Sequence, residues 1–326
     1  MKLATLKSDK PDGELVVVTR DLGRMARVGD IAPNLQAALD DWARARPRLE
    51  ERFRQLDSGE QPGEPFDRAR AHSPLPRAYQ WLDGSVYAGH NERMARWRNI
   101  PLNPHYYTEP WMYQGCSDGF LAPTEDIPGA SEDWGIDYEG EIAVVTDFVP
   151  YGCKTEDAGH HIALVMLAND VSLRELIGDE LSKGFGFVQS KPASAFSPVA
   201  ATPDELGAAW RDSALHRPLL SFINGVKFGD PDAGGMTHNF ARLISHAAKT
   251  RSLAVGTIVG SGTVAGKDTD RGVSCLAEQR VIEALEHGKA KTPYLRFGDK
   301  VRIEMLDERG NSIFGAIEQT VRRVGG

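Results

Sequence analysis

The chain has 326 residues, a formal net charge of −8, and 41% hydrophobic and 26% charged residues. That is the composition of a globular protein with ample length for a core, and its acidic balance argues against a nucleic-acid groove or an anionic membrane surface as partner. No apolar run approaches the roughly 20 residues of a membrane helix, the start lacks a signal-peptide core, and three cysteines without CxxC spacing give neither a disulfide framework nor a zinc site, so reduced thiols and a cytoplasmic location are expected.

Leu3 to Leu6 and Leu15 to Val18 flank a polar turn at Pro11-Asp12-Gly13 and predict a hairpin. Asn34 reads as the N-cap of a helix carrying Leu35, Ala38, Leu39 and Trp42. Pro47 is expected to end or kink it, and Leu49, Phe53 and Leu56 predict a second helix over residues 48–57. The Gly-, Pro- and charge-rich stretch 58–76 marks a boundary. A small N-terminal domain, 1–77, therefore precedes a main domain, 78–326.

The main domain reads as mostly β with a few helices. Asn224-Gly225 between apolar segments is a strong hairpin signal. A second hairpin is expected from Lys300 to Leu306 and from Ser312 to Val321, across Asp307-Glu308-Arg309-Gly310-Asn311. Helices are predicted from Thr155, as cap, to about Leu164, and from Thr237 to Ala248.

The acids carry the chemistry. In Asp137-Tyr138-Glu139-Gly140-Glu141 they alternate just before the apolar run Ile142-Ala143-Val144-Val145. As a strand, the segment puts Asp137, Glu139 and Glu141 on one face, with the two glutamates about 6.6 Å apart. Like charges there repel, which a bound cation relieves; a solvated acidic edge is the other reading. Asp170, at the end of another apolar run, needs a partner. Arg174, four residues on, is one; a metal is another. An all-carboxylate set selects Mg2+ or Ca2+, with Mn2+ possible, over zinc.

Other segments supply candidates for acid–base and anion chemistry. His90 is either a general base or one more structural histidine among nine. Lys191, in a Gly- and Ser-rich loop, is either a surface lysine or an oxyanion stabiliser. Gly260-Ser261-Gly262-Thr263 follows the apolar run 255–259 and lets backbone amides approach an anion. The cluster Arg93, Arg96 and Arg98 suits a small anion. Gly115-Cys116-Ser117-Asp118-Gly119 matches GxSxG, but the prolines after it disfavour the helix a nucleophile elbow needs. Gly184-Phe185-Gly186 lacks the third glycine of a dinucleotide site.

Taken in order over about residues 78–322, these segments resemble the fumarylacetoacetate hydrolase family. The resemblance rests on Asp83 with His90, Asp137 to Glu141, Asn169-Asp170 with Arg174, Ser190-Lys191-Pro192 through Ser197-Pro198, and Gly260 to Thr263. It implies an α+β, predominantly β fold, a mixed β-sandwich roll with a small N-terminal domain, and a homodimer. Glu139, Glu141, Asp170 and Asp83 would be metal ligands, and His90 the general base, oriented by Glu278. Arg174 and Lys191 would polarise the scissile carbonyl; Tyr113, Thr263, Gly262 and Arg98 would contact substrate. The implied activity is hydrolysis of a carbon–carbon bond in a diketo acid such as fumarylacetoacetate, in aromatic or tyrosine catabolism. Two positions depart from the fumarylacetoacetase pattern: Ile177 stands for a glutamine and Ser85 for a tyrosine. They keep open an acylpyruvate hydrolase, a decarboxylase, isomerase or hydratase on the same fold, and a non-catalytic metal and small-molecule binder.

Overall fold

The computed structural model describes residues 1–325. The N-terminal strands β1 (Lys2–Leu6), β2 (Glu14–Val18) and β3 (Arg24–Arg27) form the expected hairpin and one further strand. Asn34 caps α1 (Leu35–Asp40), its Oδ1 accepting from the Ala37 amide at 2.8 Å. The helix breaks at Asp41, and α2 (Trp42–Ser58) continues past Pro47. Of the expected end or kink at Pro47, the end is thus misplaced. A proline inside a helix costs about 3 kcal/mol, which is offset here by one continuous buried stripe of Ala45, Leu49, Phe53 and Leu56.

The main region follows with β4 (Trp81–Gly84), α3 (Ala88–Trp97), β5 (Met112–Gly115), β6 (Gly140–Thr146) and β7 (Ile162–Asn169). The helix expected from Thr155 is a single turn, Thr155–Ala158, with Lys154 rather than Thr155 at its N-cap. The apolar run after it belongs to β7, which is buried along its whole length; strands covered on both faces read as continuous hydrophobic runs. Next come α4 (Arg174–Lys183), β8 (Val199–Ala201), β9 (Leu220–Ile223), β10 (Val226–Gly229) and α5 (Phe240–Ala247). The chain closes with β11 (Ile258–Gly260), α6 (Leu276–His287), β12 (Lys300–Glu304) and β13 (Ile317–Arg323). Asn224 and Gly225 both take positive φ, joining β9 to β10 as the hairpin signal requires. The last hairpin is shorter than expected, because β13 starts only after Gly315, whose φ is +74°.

One large sheet runs β3-β2-β1-β8-β7-β6-β11-β4-β5, and a second runs β10-β9-β12-β13. The two sheets face each other across a core in which Ile142, Val144, Val165 and Leu167 meet Leu219, Val301, Ile303 and Ile317. The opposite face of β6 and β7, carrying Ala143, Val145, Leu164 and Met166, packs under Leu35, Leu39, Leu49 and Phe53 of α1 and α2. This alternation buries β6 twice over and explains its unbroken apolar run. The N-terminal segment is therefore continuous with the main sheet, β1 pairing with β8 through Lys2↔Ala201 to Ala4↔Val199.

Candidate active site

Sheet topology brings four carboxylates to one end of neighbouring strands. β6 and β7 are antiparallel, so Glu141, at the start of β6, lies opposite Ala168, and Asp170 follows directly after β7. β11 runs antiparallel to β6 and parallel to β4, with Gly260 opposite Asp83. Asp83, Glu139, Glu141 and Asp170 are all buried and each offers a carboxylate oxygen within 4.8 Å of the others. Close packing demands glycine here: a Cβ on Gly260 would stand 2.3 Å from Asp83 Oδ1. Gly262 has φ +78°, and its Cβ would stand 2.5 Å from the Gly84 carbonyl oxygen. The Gly262 amide donates to Asp83 Oδ1 at 3.1 Å, so the anion approached by this loop is the protein's own carboxylate.

The charges around the four acids are unequal. Lys191 Nζ donates to Asp170 Oδ2 at 2.5 Å, to Glu139 Oε2 at 3.0 Å and to Ser172 Oγ at 2.8 Å. Arg174 bridges Asp137 Oδ2 at 2.8 Å and Glu139 Oε1 at 2.5 Å. Burial raises the Glu139 pKa, but Lys191 and Arg174 outweigh it and hold the group below the usual carboxylate range. Asp170 also accepts from Tyr113 Oη at 2.5 Å and Ser194 Oγ at 2.8 Å. Among the described residues, no cation forms an ion pair with the remaining two acids. Burial, followed by the charge of Asp170, pushes Asp83 up to about 8. Burial and the charge of Asp83 push Glu141 well above its ordinary value, and among the described residues no N–H or hydroxyl donates to either Glu141 oxygen, which leaves the neighbouring Asp83 carboxyl as its polar contact. An orphaned buried carboxylate costs several kcal/mol. Four hard oxygen donors with two uncompensated charges fit a divalent cation.

Asp137 departs from the alternation expected of the segment. Its oxygens accept from the Leu276 and Ala277 amides at 2.8 and 2.9 Å, at the N-terminus of α6, as well as from Arg174. The strand is interrupted between Asp137 and Gly140, so Asp137 turns away from the cluster and anchors a helix, where a negative charge is favoured. The Asp170–Arg174 ion pair is likewise not formed; Arg174 takes Asp137 and Glu139 instead.

His90, on α3, meets Glu278, on α6, with Nδ1 2.8 Å from Oε2. Glu278 is fully buried and its other oxygen accepts from Arg93 Nε at 2.7 Å. Burial would raise its pKa, but His90 and Arg93 hold it down. Arg93 is thus committed to Glu278 and no longer available to a free anion. Arg96 lines a separate surface hollow with Lys267. Only Arg98 of the three reaches the cavity beside the acids.

That cavity, of about 330 Å³, is lined by Asp83, His90, Tyr113, Glu139, Arg174 and Lys191, with Arg98, Gly262 and Thr263 also at its wall. Met94, Trp111, Ile177, Leu181 and Phe187 make its apolar side. Every residue predicted for catalysis or substrate contact, Glu278 excepted, therefore borders one space, and Glu278 stands behind His90. Tyr87, two residues after Ser85, is buried, with its hydroxyl donating to the Ala233 carbonyl at 2.8 Å. Ser117 is no nucleophile elbow, because no helix follows it. Gly184 is the left-handed C-cap of α4.

Sequence reasoning missed Glu180. Near the end of α4 it accepts from the amides of Val188, Gln189 and Ser190 at 2.9, 2.8 and 3.1 Å, and from the Ser190 hydroxyl. These bonds, the Gln189 amide foremost, hold its pKa down to about 2. They fix the loop that delivers Lys191. Arg93, three residues and one turn after His90, was within reach of the sequence; Glu180, ten residues before the loop it serves, gave no signal.

The fold has solved counterparts. Over the full length of both chains it matches the maleylpyruvate hydrolase from Sphingobium sp. SYK-6, a structure in complex with manganese(II) and pyruvate, with a TM-score of 0.67 at 15% identity. Among curated proteins, the oxaloacetate tautomerase YisK of Bacillus subtilis is 25% identical over 244 residues, 73% of this chain and 70% of that one. The 2,4-didehydro-3-deoxy-L-rhamnonate hydrolase of Sphingomonas sp. SKA58 is 26% identical over 171 residues, 52% of this chain and 56% of that one. The family model for the fumarylacetoacetate (FAA) hydrolase C-terminal region matches residues 80–322, and that for fumarylacetoacetase N-terminal domain 2 matches residues 1–77. The chain belongs to the fumarylacetoacetate hydrolase family. Its relatives include both hydrolases and tautomerases. Among the described residues no helix is long and apolar enough to cross a membrane.

Proposed function

We propose that the protein is a divalent-cation-dependent hydrolase that cleaves a carbon–carbon bond in a β-diketo acid of the fumarylacetoacetate type, in the breakdown of aromatic compounds such as tyrosine. The observation that carries this reading is the His90–Glu278 pair opening on the cavity lined by Asp83 and Glu139, with Glu141 and Asp170 of the same acidic cluster behind them. Glu139, Glu141, Asp170 and Asp83 would hold Mg2+, Ca2+ or Mn2+, which supplies positive charge against a developing enolate. Manganese and pyruvate together in the maleylpyruvate hydrolase structure support a 2-keto acid at such a centre.

Glu278, kept ionised by Arg93, accepts from His90 Nδ1–H and leaves Nε2 to take a proton from water. The hydroxide adds to the distal carbonyl, and its electron pair moves onto the carbonyl oxygen. Collapse breaks the carbon–carbon bond and releases a carboxylic acid and an enolate, which takes a proton back from His90. All three Lys191 N–H groups are engaged by Glu139, Asp170 and Ser172. Lys191 therefore acts on the oxyanion through its charge rather than through a spare donor, and Arg174 adds a second positive charge nearby. A homodimer accompanies this proposal, motivated by Phe185 and Val188, which stand 99% and 83% exposed beside the site.

A second reading, keto–enol tautomerisation of a 2-keto acid, draws support from the tautomerase relative and from Ile177, which puts an alkyl group where a polar amide was expected. The same His90–Glu278 pair serves it by moving one proton between carbon and oxygen. The test is to mix the purified protein with fumarylacetoacetate, acylpyruvates or oxaloacetate, with Mg2+, Ca2+ or Mn2+ and then with chelator. Stoichiometric appearance of two acids, abolished by chelator, supports the hydrolase. Loss of enol absorbance with mass conserved supports the tautomerase. Saturable binding of metal and keto acid without product leaves a binding protein.

A further inference from the structure

The catalytic cavity has a neighbour. Met94, Arg98, Arg174 and Ile177 line both it and a second chamber of about 470 Å³ between α3, α4 and α6. Each volume falls within the range of about 300–1,000 Å³ usual for small-molecule sites. The second chamber is walled by Trp97, Val281, Ala284 and Tyr294, and it carries Arg280 and Lys289 toward its far side on α6 and the turn after it. Its charges are Arg98, Arg174, Arg280 and Lys289 against one acid, Glu175. In a protein with a net charge of −8, basic side chains thus outnumber acids around this hollow, and of the four only Arg174 is paired with carboxylates, Asp137 and Glu139. Among the described residues, Arg98, Arg280 and Lys289 have no carboxylate partner, although most of the chain's arginines do. Arg280 is held in place by the Thr292 carbonyl and stacks on the Tyr294 ring at 4.2 Å, a rigid, oriented cation.

We propose that this chamber receives the distal arm of the substrate, and that the substrate is a diketo acid whose acyl arm is long and apolar and ends in a second carboxylate. The inference rests on the proposed hydrolase reading. The keto acid end lies by the four carboxylates. The arm passes Ile177 and Met94, packs on Trp97 and Tyr294, and its terminal anion meets Arg280 and Lys289. Ile177 is central: an apolar residue on the shared wall accepts alkyl or aryl surface, which a buried amide without a partner would reject.

The experiment is a kinetic series with the intact, metal-loaded protein. Acetopyruvate, acylpyruvates of increasing alkyl length, and the same acyl chains carrying an ω-carboxylate are compared by kcat/KM. The expected result is a rise of about tenfold or more from acetopyruvate to the long chains, and a further rise with the ω-carboxylate. Lys289→Glu combined with Arg280→Gln should lower kcat/KM for the ω-carboxylates about fivefold or more, mainly through KM, and leave acetopyruvate unchanged. Turnover of acetopyruvate equal to or better than that of every longer substrate would overturn the inference while leaving the hydrolase reading intact. An equal loss for charged and uncharged arms in the double variant would overturn the distal anion. No cleavage of any member would sink the hydrolase reading itself.

Discussion

His90 Nδ1 lies 2.8 Å from Glu278 Oε2, a contact between residues 188 apart in sequence that exists only because α3 and α6 pack side by side. The pair fixes which imidazole nitrogen is left for the substrate. His90→Ala should lower turnover about 10²–10⁴-fold while metal affinity, measured by calorimetry, stays near that of the parent. Glu278→Gln should cost nearly as much, because Arg93 loses its counter-charge and the neutral amide, with one acceptor oxygen for both Arg93 and His90, no longer stabilises a protonated imidazole. Parent-like turnover in either variant would remove the pair from the mechanism.

Lys191 sits between Glu139 and Asp170, and so opposes a cation bound to the same acids. Lys191→Met should lower kcat about 10²-fold. Metal affinity should hold or rise, since removing a positive charge from a low-dielectric site favours another. Weaker metal binding would mean that Lys191 organises the ligands rather than compensating their charge.

The pH dependence of the metal-free protein follows from Asp83, at about 8, and Glu141, well above the ordinary carboxylate range. Both are protonated when folded and would be ionised when unfolded at neutral pH. The folded state therefore binds more protons than the unfolded state between about pH 4 and 8, and stability must fall as pH rises through that window. Melting temperatures in chelator should decline from pH 5 to pH 8. Divalent cation should abolish the decline, with proton release on binding. A chelated protein whose melting temperature rises over that range would contradict the assignment.

Asp137 is predicted to matter for stability rather than for metal. It accepts from two amides at the start of α6 and from Arg174. Asp137→Ala leaves the buried Arg174 with Glu139 as its one carboxylate partner and takes the acceptor from two amides at a helix start, a loss of about 3 kcal/mol, readable by chemical denaturation. Metal affinity should persist. Loss of metal with unchanged stability would restore Asp137 to the ligand set.

Glu180 positions Lys191 at a distance through the loop 188–190. Glu180→Ala should raise amide exchange at Val188, Gln189 and Ser190 and lower kcat more than KM, whereas Glu180→Gln, keeping one carbonyl acceptor, should recover part of both. Unchanged exchange in the alanine variant would show the loop to be held by other contacts.

Much of this was legible in the chain because it is local. Asn34 caps its helix, Asn224-Gly225 turns its hairpin, and β6 and β7 announce themselves as apolar runs ending in acids; each signal lies within a few residues of its effect. The errors were also local signals outvoted by packing. Pro47 sits inside α2 because the stripe from Ala45 to Leu56 is buried as a unit. The segment after Thr155 is strand because β7 is covered on both faces.

The sequence by itself determined the kinds of chemistry available: carboxylates that suit a hard cation, a histidine able to act as a base, and small residues where backbones must meet. Tertiary structure decided which groups share a site. It sent Asp137 to a helix end and buried Glu141 beside Asp83 with no cation against it, and it joined His90 and Arg93 to Glu278 and Glu180 to the Lys191 loop. It also set a basic second chamber beside the catalytic one. The reason is physical: side-chain alternation and caps are set over a few residues, whereas a carboxylate's charge state and partners depend on strands and helices brought together from opposite ends of the chain.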